Sequence, residues 1–234
     1  MKIFTCSLLF LTFLFPVSAD AQTGVRFGLK AGYSLATQYG ITPADNTYMV
    51  DSQGRNGFAG GVFAYFPITE SVGIQQEFLY AMKGSRQNVT ITTPFNISTV
   101  SEYDLNYFEM PIVIKYKFVN IKNVGIYGST GIALSLLMNG DYDITSTVNV
   151  VGIPPIISTY SGDMKTLDTF DYSFVYGAGA DFKLLSKDFF IEYRMTVGWN
   201  ILQMPNVPAV GNNPAAPPVP LRNMDYIFAL GMYF

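Results

Sequence analysis

Histidine is absent from this 234-residue chain, and cysteine occurs once, as Cys6. These absences exclude a histidine general base, a Cys/His metal site and a disulfide framework. Charge is also scarce and nearly balanced, with 14 Lys and Arg against 17 Asp and Glu and a formal net charge of −3. A nucleic-acid-binding protein carries a clear basic excess, so no nucleic-acid partner is expected. The sequence predicts no catalytic residue, no cofactor and no metal ligand.

The first residues have the pattern of a secretory signal. Lys2 supplies one positive charge, 3–17 form an apolar run, and Ala19-Asp20-Ala21 has the small residues of a cleavage site. This pattern predicts that 1–21 is a signal peptide. A single domain, 22–234, would then remain, without cysteine.

The rest of the chain is unusually apolar for a soluble domain. Charged residues make up 13%, apolar residues 49% and aromatic residues 15%, where an average domain has about 25% charged residues. Yet no apolar run after the signal approaches the roughly 20 residues that a membrane-spanning helix needs. The chain is therefore either a soluble β protein with a large core or a membrane barrel whose apolar residues alternate along its strands.

Apolar and polar residues alternate with a period of two, which is the pattern of strands with one apolar face. In the first such segment Phe27 and Leu29 alternate with Gly28 and Lys30. The clear segments are 25–35, 71–84, 106–118, 170–184, 189–199 and 224–234; two weaker ones, 55–66 and 124–137, have an uncertain phase.

Every charged residue of the six clear segments lies on the polar face. A soluble, lipocalin-like barrel would turn these charges to solvent, whereas a membrane barrel would turn them into its lumen. Glycine-rich polar faces suit a narrow lumen, and the other faces hold more Phe, Tyr and Met than one small lumen could contain, so we favour the membrane barrel. We expect the charges to pair inside it, because buried charges need partners. The predicted lumen charges are Arg26, Lys30, Glu77, Lys83, Glu109, Lys115, Lys117, Asp171, Asp181, Lys183, Glu192, Arg194 and Asp225.

The links between the segments alternate strictly between long and short. This alternation predicts an all-β, antiparallel, up-and-down transmembrane β-barrel of eight strands in the outer membrane of a Gram-negative cell. Its long loops would be extracellular, and its short turns and both termini periplasmic. The long links are 37–54, 85–105, 138–169 and 200–223; the short ones are 67–70, 119–123 and 185–188.

Two features depart from this simple pattern. Pro111 lies inside the fourth strand, where proline loses a ladder hydrogen bond, so we expect a local bulge there. The third long link contains strand-like segments at 142–151 and 156–160. They predict a hairpin above the membrane, with a ten-stranded barrel as the alternative.

The chain ends on an aromatic residue that follows alternating apolar residues, an arrangement that resembles the signal read by the barrel-assembly machinery. Its residues are Tyr226, Phe228, Leu230, Met232 and Phe234. Three segments, GIQQEFLYAMKGS at 73–85, LNYFEMPIVIKYKF at 105–118 and IEYRMTVGWNIL at 191–202, resemble the PorT-like outer-membrane β-barrel domain of Bacteroidetes. The resemblance implies a barrel fold and, for the namesake, assistance to a secretion system. It carries over no catalytic residue.

Three classes of function follow, in order of preference. The first is a non-enzymatic structural or interaction barrel that assists secretion or envelope assembly through its loops or turns. The second is a small-solute porin, which needs a wider lumen than eight strands provide. The third is an outer-membrane enzyme, a class that typically relies on histidine. The expected partners are outer-membrane lipid, the barrel-assembly machinery and proteins bound at the loops.

Overall fold

The computed structural model describes residues 24–40, 49–91, 96–150, 152–164, 170–201 and 221–234. The predicted signal peptide, 1–21, lies outside these ranges. Among the residues described, no helix has the length and apolar character needed to cross a membrane.

The described chain folds into antiparallel β-strands. Their bounds are β1 Arg26–Gly40, β2 Met49–Pro67, β3 Val72–Ile91, β4 Asn96–Ile121, β5 Val124–Asn149, β6 Ile156–Asp163, β7 Phe170–Leu184, β8 Lys187–Gly198 and β9 Leu221–Tyr233.

Eight of these strands close into a ring. The order around the ring is β1-β2-β3-β4-β5-β7-β8-β9, and β9 pairs with β1 to complete it. The backbone N–H of Phe234 extends this closure by donating to the carbonyl oxygen of Phe27 at 2.9 Å. β6 lies outside the ring and pairs with β5. The predicted eight-stranded, up-and-down barrel is confirmed, and the extra strand does not widen it.

The two faces of each ring strand have the predicted contrast. On β1 the outward side chains of Phe27, Leu29 and Tyr33 are exposed, whereas the inward side chains of Lys30 and Ser34 are buried. Because successive side chains point to opposite sides of a strand, one backbone serves an apolar outer surface and a polar lumen. This outer surface is opposite to that of a soluble, lipocalin-like barrel.

Small buried residues show which face of β5 points into the lumen, a question that the sequence left uncertain. Ser129 and Ser135 are buried, while Ile126 and Ile132 are exposed on the outer surface. The pairing with β4 then shifts by one residue and leaves Met138 unpaired. Such a bulge exchanges the two faces of the strand beyond it. Even-numbered side chains therefore point inward in the upper part of β5.

Pro111 lies in β4 without the bulge that the sequence predicted. The register of β3 with β4 is the same on both sides of the proline. Proline has no N–H, so the carbonyl oxygen of Glu77, which lies opposite, lacks a backbone donor. The Nε2 of Gln76 donates to this oxygen at 3.1 Å and to the carbonyl oxygen of Pro111 at 3.2 Å. A side-chain amide thus replaces the missing donor, and the strand stays regular.

The barrel is taller at the end opposite the chain termini, which we call the tall end. Strand pairing continues there between 49–54 and 85–90, between 96–106 and 139–149, and between 141–148 and 156–163. The expected hairpin in the third long link is present as β5 and β6, and much of the second and third long links is strand. At the opposite end, Leu185 and Ser186 have φ of 49° and 63°, the backbone of a tight two-residue hairpin.

Candidate functional site: the barrel lumen

Inward-facing side chains fill the lumen, and most of the predicted lumen charges lie among them. The buried ones are Lys30, Glu77, Lys83, Glu109, Lys115, Asp171, Glu192, Arg194 and Asp225, and the partly buried ones are Arg26, Lys117 and Asp181. The prediction is wrong for Lys183, which does not lie in the lumen. Its side chain is 66% exposed and lies 4.0 Å from Asp188. It is next to the β7–β8 turn, where the ring ends and solvent begins.

Four of the buried charges form one cluster, which we call the central ion network: Lys30, Glu77, Glu192 and Arg194. Arg194 donates to both carboxylate oxygens of Glu77, at 2.7 and 2.6 Å, and lies 2.9 Å from Glu192. Lys30 lies 2.5 Å from Glu192 and 3.5 Å from Glu77. Two cations and two anions balance each other, which a buried site requires.

Lys115 lies beside this network but has neutral partners. Its Nζ donates to Gln75 Oε1 and to the Tyr233 hydroxyl, both at 3.3 Å, and lies 3.8 Å from the centroid of the Tyr127 ring. No carboxylate in the described part of the chain forms an ion pair with it, so the expected acidic partner is replaced by amide, hydroxyl and ring contacts. Gln75 also donates to Glu77 at 2.6 Å, and it links Lys115 to the central ion network.

An aromatic cluster fills the lumen at the end that carries the termini. We call it the aromatic plug, and its members are Phe63, Tyr65, Tyr127, Phe190 and Tyr233. Phe63 meets Phe190 and Tyr233 edge to face, with ring centroids 5.5 and 5.2 Å apart, a favourable geometry for ring pairs. The sequence-based prediction missed this plug. Its signal was an aromatic residue in the polar phase of a strand, such as Phe190 two residues before Glu192.

A second charged cluster lies on the tall side of the central ion network. It consists of Lys83 and the carboxylates of Glu109, Asp171 and Asp225, which are all buried and act electrostatically on the ammonium group of Lys83. Lys83 contacts Glu109 directly. Neutral donors bind the three carboxylates, with Ser135 on Glu109 at 3.0 Å, Asn223 on Asp171 at 3.0 Å and Ser34 on Asp225 at 2.7 Å.

The outer surface of the ring is an apolar band. On β4 its side chains run at every second position from Phe108 to Phe118, with Ile114 half exposed near the middle. Trp199 lies on the outer surface beside Phe174, with ring centroids 5.2 Å apart. The alternate residues of β9 from Tyr226 to Met232, and Phe234 just after the strand, face outward in the same way.

The lumen chemistry is therefore that of a packed core. In the described part of the chain, its carboxylates are held by cations and hydrogen-bond donors, and no group of acidic residues has the arrangement of a metal site. An outward apolar band around a polar, charge-balanced interior is the organisation of a membrane-spanning barrel.

Comparison with known proteins agrees with this organisation. A model of the outer membrane protein beta-barrel domain family matches residues 20–201. The chain belongs to this family. It is therefore an outer-membrane β-barrel protein, as the alternation of its strands predicted. No curated protein matches the chain.

Several solved outer-membrane proteins are similar in structure. The attachment invasion locus protein Ail of Yersinia pestis is 13% identical over 91% of this chain and 100% of its own, with a TM-score of 0.40. The outer membrane protein OprG of Pseudomonas aeruginosa is 8% identical over 89% of this chain and 95% of its own, with a TM-score of 0.41. The outer membrane protease OmpT of Escherichia coli is 10% identical over 90% and 96%, with a TM-score of 0.47.

Proposed function

We propose that this protein is a non-conducting, non-enzymatic outer-membrane barrel with a structural or interaction role. Its lumen serves stability, and its contacts with partners are made by the strands and loops outside the membrane, above all at the tall end. Assistance to secretion or envelope assembly is the activity that such a scaffold would serve. PorT-like relatives are the branch of the family to which we assign it.

The filled lumen is the observation that carries this proposal. The aromatic plug, the central ion network and the second charged cluster, that of Lys83, follow one another along the barrel axis, and their side chains are almost fully buried. A porin needs a continuous water-filled path, which wider barrels provide. The plug occupies that path with five aromatic rings.

The carboxylates of the lumen also favour a structural role over catalysis. Glu77 and Glu192 are each engaged by both Arg194 and Lys30, so neither has a free oxygen face for a substrate. A general acid or base must lie within hydrogen-bond reach of the reacting group. Around Glu77 and Glu192 that place is taken by the side chains of Arg194 and Lys30.

The remaining contacts follow from the outer surface. We assign the apolar band to outer-membrane lipid and the outward residues of β9, ending at Phe234, to recognition by the barrel-assembly machinery. Short turns on the periplasmic side and long connections outside are usual for such barrels. The termini would then be periplasmic and the tall end extracellular.

Planar lipid bilayers test the closed lumen. Purified, folded protein should give no steady channel, because no continuous water path crosses the aromatic plug. Steady porin-like conductance would contradict the proposal and support the porin alternative.

Photo-crosslinking in cells tests the interaction role. A crosslinker at Thr145, on the tall part of β5, should capture protein, whereas one at Ile132, in the apolar band of the same strand, should capture lipid. Equal protein capture at both positions would place the partner in the membrane and contradict the assignment to the tall end.

A further inference from the structure

The sheet at the tall end has an edge that no described strand covers. Each ring strand pairs with a neighbour on each side over its lower part, although 49–54 of β2 pair only with β3 at the tall end. β6 pairs along its whole length with β5 on one side and with no other strand in the described part of the chain. The pairing of 141–148 with 156–163 runs without a register shift. Among the described strands, the row of N–H and C=O groups along the other side of 156–162 is therefore straight and has no partner strand, which is the arrangement that accepts a further strand.

Residues that usually protect such an edge are missing from β6. Its sequence, IISTYSGD, has no lysine and no proline, and it has no charge before its last residue. Ile156 and Ile157 are more than half exposed. Natural sheets block exposed edges with lysine, proline or bulges, because an unprotected edge accepts a further strand. An edge of this composition is suited to strand addition.

Acidic side chains cover the outward surface beside this edge. Glu102 and Asp104 of β4 pair directly with Asp143 and Asp141 of β5, and all four side chains are exposed. We call these four residues the acidic patch. Like charges on opposed residues of neighbouring strands destabilise a sheet, so the patch favours a cationic partner.

The arginine side chains that pair with the acidic patch lie on the side of it that is farther from β6. Arg55 of β2 lies 2.5 Å from Asp104, and Arg86 of β3 lies 3.3 Å from Glu102. Asp141 and Asp143, on the strand next to β6, form no ion pair with any described cation. The uncompensated negative charge is thus concentrated toward the free edge.

The charge of Asp104 shows the effect of this crowding. Partial burial raises the pKa of its carboxyl group, and the carboxylates of Glu102, Asp141 and Asp143 raise it further, although Arg55 acts in the opposite direction. Asp104 lies above the apolar band, four residues before Phe108, so solvent and partners can reach it.

We propose that β6 accepts an extended segment of a partner protein as an additional β-strand, and that this segment carries lysine or arginine on its outward face. This inference rests on the proposed interaction role and names the class of partner. The backbone of the segment would pair with β6. Its basic side chains would pass over the short Ser161, which pairs with Asp143, and reach the acidic patch from the edge.

A second copy of this chain fits the edge less well. Two copies in one membrane are related by an axis along the membrane normal, and barrel strands tilt by about 35–45° from that normal. Their β6 strands would then cross at roughly 80°, twice the tilt, which permits neither parallel nor antiparallel pairing. A second copy would also bring a second acidic patch, without the cations that the first one lacks.

Disulfide capture tests the edge and the charge together. The chain has one cysteine, so a Cys6→Ser background allows single-cysteine variants. Thr159→Cys places a thiol on the outward face of β6, and Thr145→Cys places one on its direct partner in β5, one strand farther from the edge. The probes are a synthetic peptide that alternates lysine and threonine, with one lysine replaced by cysteine, and the same peptide with glutamate for lysine.

The folded variants in lipid vesicles should give two contrasts at low salt. Thr159→Cys should capture the lysine peptide at least tenfold faster than Thr145→Cys does, because a disulfide requires Cα atoms within about 7 Å. Thr159→Cys should also capture the lysine peptide at least tenfold faster than the glutamate peptide, and this preference should shrink as salt screens the patch. Unfolded protein is excluded by heat-modifiable gel mobility.

Each other outcome overturns the proposal. Equal capture by Thr159→Cys and Thr145→Cys shows that the edge is already covered by a segment of this chain. Equal capture of the two peptides shows that charge does not select the partner. Disulfide dimers of Thr159→Cys without peptide assign the edge to a second copy. None of these outcomes alters the conductance expected of the closed lumen, so failure here is distinguishable from failure of the proposed function.

Discussion

Replacement of Arg194 should be among the most damaging single changes in the lumen. Its guanidinium group holds both oxygens of Glu77 and one of Glu192. In Arg194→Met the two carboxylates keep one close cation, Lys30, so the central ion network changes from balanced to a net charge of −1. Removing one partner of a buried ion pair costs about 3–5 kcal/mol, and we expect a loss of that size in the free energy of unfolding.

Two further variants separate this effect from the loss of a charge in general. Arg26→Met removes an arginine whose partner is Asp188, 3.3 Å away, with about a third of each side chain exposed. Partly exposed pairs contribute about 0–1 kcal/mol, so this variant should unfold almost as the unmodified protein does. Arg194→Met combined with Glu77→Gln restores the charge balance with a neutral side chain, and it should recover most of the loss.

Urea unfolding in lipid vesicles measures these differences. The chain has a single tryptophan, Trp199, whose emission reports its transfer from the outer surface of the barrel to water, and heat-modifiable gel mobility gives the folded fraction independently. The reasoning fails if Arg194→Met is no more destabilised than Arg26→Met. It also fails if the double variant is less stable than Arg194→Met alone, because the unbalanced charge would then not be the cause.

Two predictions concern β3 and β4. Ile114→Arg, in the middle of the apolar band, should lower the free energy of unfolding by about 2–4 kcal/mol, because a lipid-facing charge is most costly at the midplane. Ile121→Arg, at the end of the same strand, should lower it by only about 0–1 kcal/mol. Equal losses in the same urea assay would refute the assigned depth. Gln76→Leu should cost about 1–3 kcal/mol, because it leaves the carbonyl oxygen of Glu77 without a donor opposite Pro111. Gln53→Leu, at a position where β2 and β3 pair regularly, is its control, and an equal loss there would exclude the amide as the substitute donor.

The sequence by itself was sufficient for the fold. Its period-two alternation assigned the inward and outward faces of six strands, since a one-residue error would have placed charges such as Glu77 and Arg194 in lipid. The alternation of long and short links predicted eight ring strands, and the strand-like segments of the third long link left ten as the alternative. Both signals are local, because each depends only on residues near one another in the chain.

Only the tertiary structure decided which charges meet. Arg194 and Glu77 are far apart in sequence, and their contact depends on the stagger of every strand around the ring. Lys115 shows the same limit, because its inward direction was predictable, whereas its partners Gln75, Tyr127 and Tyr233 come from three different strands. The aromatic plug was missed because Phe190 and Tyr233 are apolar residues in polar phases, which only a closed lumen makes favourable.

The residues that depart from the predicted pattern do so because of contacts with neighbouring strands or with solvent. Pro111 predicts a bulge when β4 is considered alone, but the amide of Gln76 on β3 supplies the donor that makes one unnecessary. Lys183 has the phase of a lumen residue, yet it lies where the ring ends, so solvent and Asp188 surround it. Among the described strands, β6 has an unpaired edge because β5 extends beyond its pairing with β7 and pairs with β6 at the tall end. A chain's local pattern determines which way each side chain points; what it meets there depends on the closure of the whole sheet.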